Sequence, residues 1–142
     1  MFKENMIAPC GLNCSICSQA LRKEKPCTGC LGPNETKSEY CATMCKIAAC
    51  EIRKTLPDYF CDLCPQFPCR EMVEKEIWYA NSYPMTESLM GNLAFIRKEG
   101  MTKFLQREEE RWTCHKCNGI ICVHTGICSR CEEKYTDRSN RK

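Results

Sequence analysis

Valine and histidine are nearly missing from this chain, and long apolar runs are missing altogether. Valine occurs only twice in 142 residues. Two histidines make the commonest general base scarce, and no Gly-rich phosphate loop, Ser-His-Asp order or His-Glu-x-x-His helix takes its place. Leucine, isoleucine, valine and phenylalanine together number 24 of 142 residues, fewer than an ordinary globular core uses. No run approaches the roughly 18 apolar residues of a membrane-spanning helix. The first ten residues also lack the apolar stretch of a secretory leader. These absences set the expectations: a cytoplasmic chain with no membrane association, a binding or adaptor role ahead of an enzymatic one, and a fold held by something other than an apolar core.

Cysteine fills the gap, with 16 residues. Ten of them form five pairs at two-residue spacing: Cys14/Cys17, Cys27/Cys30, Cys61/Cys64, Cys114/Cys117 and Cys128/Cys131. Cys10, Cys41, Cys45, Cys50, Cys69 and Cys122 complete the set. Two thiolates three positions apart can grip one tetrahedral ion from a single tight turn, and a second pair closes a four-sulfur site. A secreted disulfide framework is the competing use, but the reducing cytosol expected here favours metal. No βαβ pattern surrounds any pair, which argues against a thioredoxin-like redox site. Each structural zinc supplies about 10–16 kcal/mol of apparent binding free energy that is also folding free energy. Four cysteines per site predicts three or four zinc ions.

The predicted fold is small, metal-stapled and mainly α with a short β-hairpin. Residues 1–70 form an irregular cysteine-rich region, 71–112 a helical segment, 113–134 a zinc-ribbon-like module, and 135–142 a disordered tail. Cys10, Cys14 and Cys17 share one face if residues 10–22 are helical, and Cys41, Cys45 and Cys50 occupy a second helical stretch. Pro26 to Pro33 and Cys61 to Cys69 read as rigid turns. A helix over 70–80 places Val73, Ile77 and Ala80 on one stripe, with Glu71 and Lys75 paired outside. Another spans about 85–99, carrying Met85, Leu89, Leu93 and Ile96, and Gly100 stops it. Met101 to Arg111 continues the pattern with Leu105 and Trp112, and Arg107 to Arg111 reads as a solvated face.

In the C-terminal module Cys114/Cys117 and Cys128/Cys131 enclose ten residues, a ribbon spacing that assigns them to one separate metal. Ile120 to His124 between them fits a short hairpin strand. Cys122 and His124 stand as alternative ligands, while His115 reads as exposed. In the N-terminal region Cys14, Cys17, Cys27 and Cys30 are assigned by proximity in sequence to one closed site, because a short loop is cheap to close. Interleaving with Cys61, Cys64 and Cys69 is the alternative. Eleven cysteines make two complete sites and leave three over. A third site with an open position, three bystander thiols, or completion by Cys122 would each account for them.

The motifs Cys-Gly-Leu-Asn-Cys-Ser-Ile-Cys (10–17), Cys-Thr-Gly-Cys (27–30), Cys-Lys-Ile-Ala-Ala-Cys (45–50) and Cys-Asp-Leu-Cys-Pro-Gln-Phe-Pro-Cys (61–69) appear in that order. The combination resembles the cysteine-rich bacterial and archaeal proteins grouped as domain of unknown function family 3795, over at least residues 7–72. The resemblance implies a prokaryotic source and metal binding, and it carries no established activity. Iron is the rival metal. Cys10-x-x-x-Cys14-x-x-Cys17 has the spacing with which radical S-adenosylmethionine enzymes hold a cluster, although the chain is too short for their barrel. A cluster with an electron-transfer or sensing role is the alternative to zinc.

The formal charge of +3 reverses on metal loading. Each four-thiolate zinc site carries a net charge of about −2, so four sites would bring the chain to about −5. Generic attraction to nucleic-acid phosphates therefore loses its main support, and nucleic acid ranks below a protein partner. The basic end, with Lys134, Arg138, Arg141 and Lys142, reads as a solvated tail.

Overall fold

The computed structural model describes residues 2–137. Three helices form its regular part: α1 (Arg70–Asn81), α2 (Leu89–Glu99) and α3 (Met101–Trp112). α2 packs against both α1 and α3. Sequence explains where they begin and end. Pro68 precedes α1 and Glu71 lies in its first turn, where a carboxylate favours the helix dipole. Ser88 caps α2 by accepting a hydrogen bond from the Gly91 amide at 2.9 Å, so this helix starts later than the apolar pattern alone predicts. Gly100 ends it with φ of 92°, a conformation that glycine adopts without strain, and α3 follows at once.

Leu89, Leu93 and Ile96 of α2 and Phe104 and Trp112 of α3 form the helical side of the core. Ile7 and Ile16 from the first segment and Ile121 and Val123 from the last complete it. Segments far apart in sequence therefore share one core. The Val123 amide donates to the Ile16 carbonyl at 2.8 Å, and the Ile121 amide to that of Trp112 at 2.8 Å. The C-terminal module is fused to the rest rather than set apart from it.

Five predicted features are corrected. Residues 10–22 form no α-helix: Gly11 at φ 96° turns the chain, Asn13 accepts the Ser15 amide at 3.0 Å, and one 3₁₀ turn spans Cys14–Ile16. The second helical stretch is a single π-turn, Tyr40–Met44, followed by turns. α1 buries Met72 and Tyr79, with half-buried Lys75 on the same stripe, whereas Val73 and Ile77 face water. Lys75 points towards Cys45 instead of pairing with Glu71. The 107–111 charge run is not a solvated face. Glu108 is fully buried, Arg107 stacks 4.3 Å over the Phe95 ring, and Arg111 meets buried Glu87 at 2.9 Å.

Among the described residues the C-terminal segment shows isolated antiparallel bridges, Thr113 with Ile120, Ile121 with Cys128 and Ile127 with Lys134, rather than the expected hairpin strands. Of the predicted tail at 135–142, residues 135–137 are held in place. The Tyr135 amide donates to Gly126 at 2.7 Å, and the Asp137 carboxylate accepts from the Thr86 hydroxyl at 2.7 Å. Residues 138–142, with Arg138, Arg141 and Lys142, lie outside the described residues.

Candidate metal centre

Two near-identical turns build the C-terminal site. In each, the first cysteine amide donates to a carbonyl five residues on, Cys114 to Gly119 and Cys128 to Glu133, both at 2.8 Å. The residue after each second cysteine has positive φ, Asn118 at 65° and Glu132 at 66°. Local backbone geometry thus points both thiols of each pair inward before any ion arrives. Cys114 and Cys131 come within 3.6 Å and Cys117 and Cys128 within 3.5 Å. All four sulfurs lie within 4.8 Å of one another. A tetrahedral zinc with Zn–S of about 2.3 Å needs sulfurs about 3.8 Å apart, so the donor set fits one such ion.

The surroundings favour thiolate. Amides of Lys116, Gly119 and Arg130 point at the sulfurs of Cys114, Cys117 and Cys128 from 3.3–3.4 Å. The Tyr135 hydroxyl accepts from the His115 amide at 3.2 Å and lies 3.1 Å from the Cys114 sulfur. That hydroxyl, with the neighbouring amides, pulls the Cys114 thiol down to about 6. Against the Glu133 amide, burial and then the hydrogen bonds shared with Cys117, Cys114 and Cys128 push Cys131 up to about 12. A dipositive ion replaces those shared protons. Gly119 is required by space: a Cβ there would sit 2.9 Å from the Cys128 sulfur and 3.2 Å from that of Cys117.

Cys122 and His124, the alternative ligands, lie outside this cluster. Cys122 is buried, and its amide donates to Ile127 at 3.1 Å. His124 reaches the N-terminal half: its Nδ1 accepts from the Ser18 amide at 3.2 Å, which leaves Nε2 to face the Tyr79 hydroxyl at 3.1 Å. Burial, and secondarily the positive charge of Lys75, lowers its pKa and keeps it neutral. His115 is exposed, as expected.

The N-terminal cysteines separate into two cavities. A chamber of about 860 Å³, between the first loops and α1, is lined by Cys10, Cys14, Cys17, Cys27, Cys30, Cys41 and Cys45. Amides of Gln19 and Gly29 point at the sulfurs of Cys17 and Cys27, each at 3.4 Å. Burial pushes the thiols of Cys10, Cys14 and Cys17 up, and Cys30 up to about 11. Neighbouring thiolates add to this. Cys10 feels Cys45, Cys14 feels Cys10, Cys30 and Cys17, and Cys30 feels Cys10 and Cys45. Cys17 feels Cys41 and Cys27. Lys75 Nζ stands 3.8 Å from the Cys45 sulfur and 5.4 Å from the Tyr40 ring centre. Although burial opposes its charge, Cys10 and Cys45 hold its pKa above the usual lysine range.

A smaller cavity of about 60 Å³ gathers Cys50, Cys61, Cys64 and Cys69 beside Arg53 and Met72. Cys61 is pushed up to about 12 by burial and then by the thiolates of Cys10, Cys69, Cys50 and Cys64. Its amide donates to Pro9 at 3.0 Å, tying this turn to the first segment. Arg97 of α2 clamps the same turn through Asp62 at 2.7 Å and Asp58 at 2.9 Å. The pairs Cys14/Cys17 and Cys27/Cys30 border one cavity together with Cys10, Cys41 and Cys45, and no three of these thiols come within 4.8 Å of one another. Lys75, Tyr79, Tyr135 and Asp137 were not singled out as site residues. Their partners are distant in sequence, and no local motif marks them.

The chain is thus a cysteine-rich, mainly helical protein with a four-thiolate group able to bind a metal ion. Residues 6–74, just under half the chain, match the family described as protein of unknown function (DUF3795), and over that stretch the chain resembles the family. All eleven N-terminal cysteines fall within the match. No curated protein and no solved structure matches. No helix among the described residues is long and apolar enough to cross a membrane.

Proposed function

We propose that this is a zinc-stapled metal-binding protein of the cytoplasm that serves as a binding or adaptor module for a protein partner. The carrying observation is the Cys114, Cys117, Cys128, Cys131 group, whose sulfurs stand 3.5 and 3.6 Å apart across the two turns, close to what one tetrahedral ion requires. Zinc in this site is structural, because all four positions are protein ligands and none is left for water. The sulfurs belong to the same buried core as Trp112 and Ile121, so the ion fastens the end of the chain to the helices.

The module reading draws on the outer face of α1 and the chamber mouth, where Trp78 (57% exposed), Ile77 (58%) and Met44 (65%) remain in water. Large side chains at this exposure are the kind that anchor protein interfaces. Reduced thiols and metal ligation suit a cytoplasmic setting. Metal analysis of the purified protein is the test. The expected result is stoichiometric zinc and, on cobalt substitution, the intense visible bands of four-thiolate coordination, which lose one site's share of their intensity in Cys117→Ser. Cobalt bands unchanged in Cys117→Ser would sink the ribbon assignment.

A further inference from the structure

The chain contains its own measure of what a single ion needs. In the C-terminal site four sulfurs converge within 4.8 Å. In the chamber no three of the seven thiols do so, although all of them border one cavity of about 860 Å³. A ring of thiols spaced more widely around a large volume is the arrangement required by a polynuclear centre. There, metal and sulfide atoms lie between the thiolates and hold them further apart than one ion would.

We infer that the chamber holds a [4Fe–4S] cluster on Cys10, Cys14, Cys30 and Cys45, so that the protein carries iron–sulfur and zinc together. This deepens the metal-binding reading above and rests on it. Cys10, Cys14 and Cys45 are 3–9% exposed, which shelters a cluster from water and oxidants, and half-buried Cys30 borders the same cavity. Cys17, Cys27 and Cys41 are half-buried, as Cys30 is, so charge rather than burial selects the fourth ligand.

Charge points to the same four. A cluster with four thiolates carries about two negative charges, which are costly to bury without partners. Lys75 is aimed at Cys45 from α1, and Lys37 and Arg53 are the positive neighbours of Cys30. Lys37 is fixed there by donating to the Cys30 carbonyl at 2.7 Å. A solvated lysine on the outside of α1 would have gained more freedom. Its inward aim is explained by an anion in the chamber.

The experiment uses the full chain, produced with ample iron and purified without oxygen, with iron, acid-labile sulfide and zinc measured per chain. About four irons and about four sulfides beside ribbon zinc, with a cluster electron-paramagnetic signal on reduction, is the expected result. Cys45→Ser should lose iron and sulfide while keeping ribbon zinc, which also shows that the variant folds. Cys122→Ser, outside the chamber, should keep all three. Several zinc ions and no sulfide would overturn the cluster while leaving the metal-binding reading intact; a chain with no metal would overturn both. Iron retained by Cys45→Ser but lost in Cys17→Ser would overturn the ligand assignment.

Discussion

Replacing Glu108 by glutamine should stabilise the protein, and by an amount that grows with pH. Glu108 is fully buried on α3, 3.8 Å from Arg107. Burial and then the charge of Glu87 raise its carboxyl to about 7, against the opposing pull of Arg107 and Arg111, from an ordinary value of 4.5. The raised value means that the native state keeps the proton while the unfolded chain releases it. Stability is therefore lost as pH climbs from 4.5 to 7 and is level beyond. With 1.36 kcal/mol for each pH unit between the two values, the penalty is about 2 kcal/mol at pH 6 and about 3.4 kcal/mol at pH 8.5. Glutamine has nearly the same shape and cannot ionise. The stability difference between Glu108→Gln and the parent should thus widen by about 1.4 kcal/mol between pH 6 and pH 8.5, or tenfold in the unfolding constant. Urea unfolding in zinc-containing buffer, followed by fluorescence of buried Trp112, measures it. Titration of the thiols is common to both proteins and cancels. A difference that stays constant with pH would show that Glu108 is ionised in the fold, and the argument would fail.

Tyr135→Phe removes the hydroxyl that lowers the Cys114 thiol. Protons then compete better for that sulfur, and zinc release on acidification should begin at a higher pH in a chelator-indicator titration. Gly119→Ala places a methyl against two ligand sulfurs and should weaken ribbon zinc at least tenfold in the same assay. Gly11→Ala combines φ of 96° with a collision against the Leu89 carbonyl, so thermal denaturation should show a loss of about 1–3 kcal/mol. Ending the chain at Trp112 removes Val123 and His124 from Ile16, Ser18 and Tyr79. The shortened chain should lose protection of N-terminal amides from hydrogen exchange as well as one metal, whereas an autonomous ribbon would leave those amides unchanged.

What was legible in the sequence was what depends on neighbours. The two C-terminal turns are specified by Cys-x-x-Cys and the next two residues, so spacing alone predicted which four sulfurs meet. The helix stop at Gly100 is similarly local, whereas the Ser88 cap was missed and the start expected at about 85 falls at Leu89. The chamber is another matter. Residues from Cys10 to Cys45 are carried there by turns, and the helical periodicity read over 10–22 was broken by Gly11 and the Asn13 side chain. α1 shows the difficulty most plainly. Val73 and Ile77 are the apolar choice for a buried stripe, yet the buried stripe includes Lys75, because the thiols opposite it attract a cation. Glu108 failed for the converse reason: a run of charges says nothing about which member turns inward.

The contact between His124 and Ser18 spans 106 residues, and it closes one wall of a chamber whose thiols all lie at or before Cys45. During synthesis at about 5–20 residues per second, the 79 residues separating Cys45 from His124 take roughly 4–16 s to appear. For that interval the seven thiols stand open on one side. The order of translation thus gives the chamber a period of wider access than the mouth of the completed fold provides.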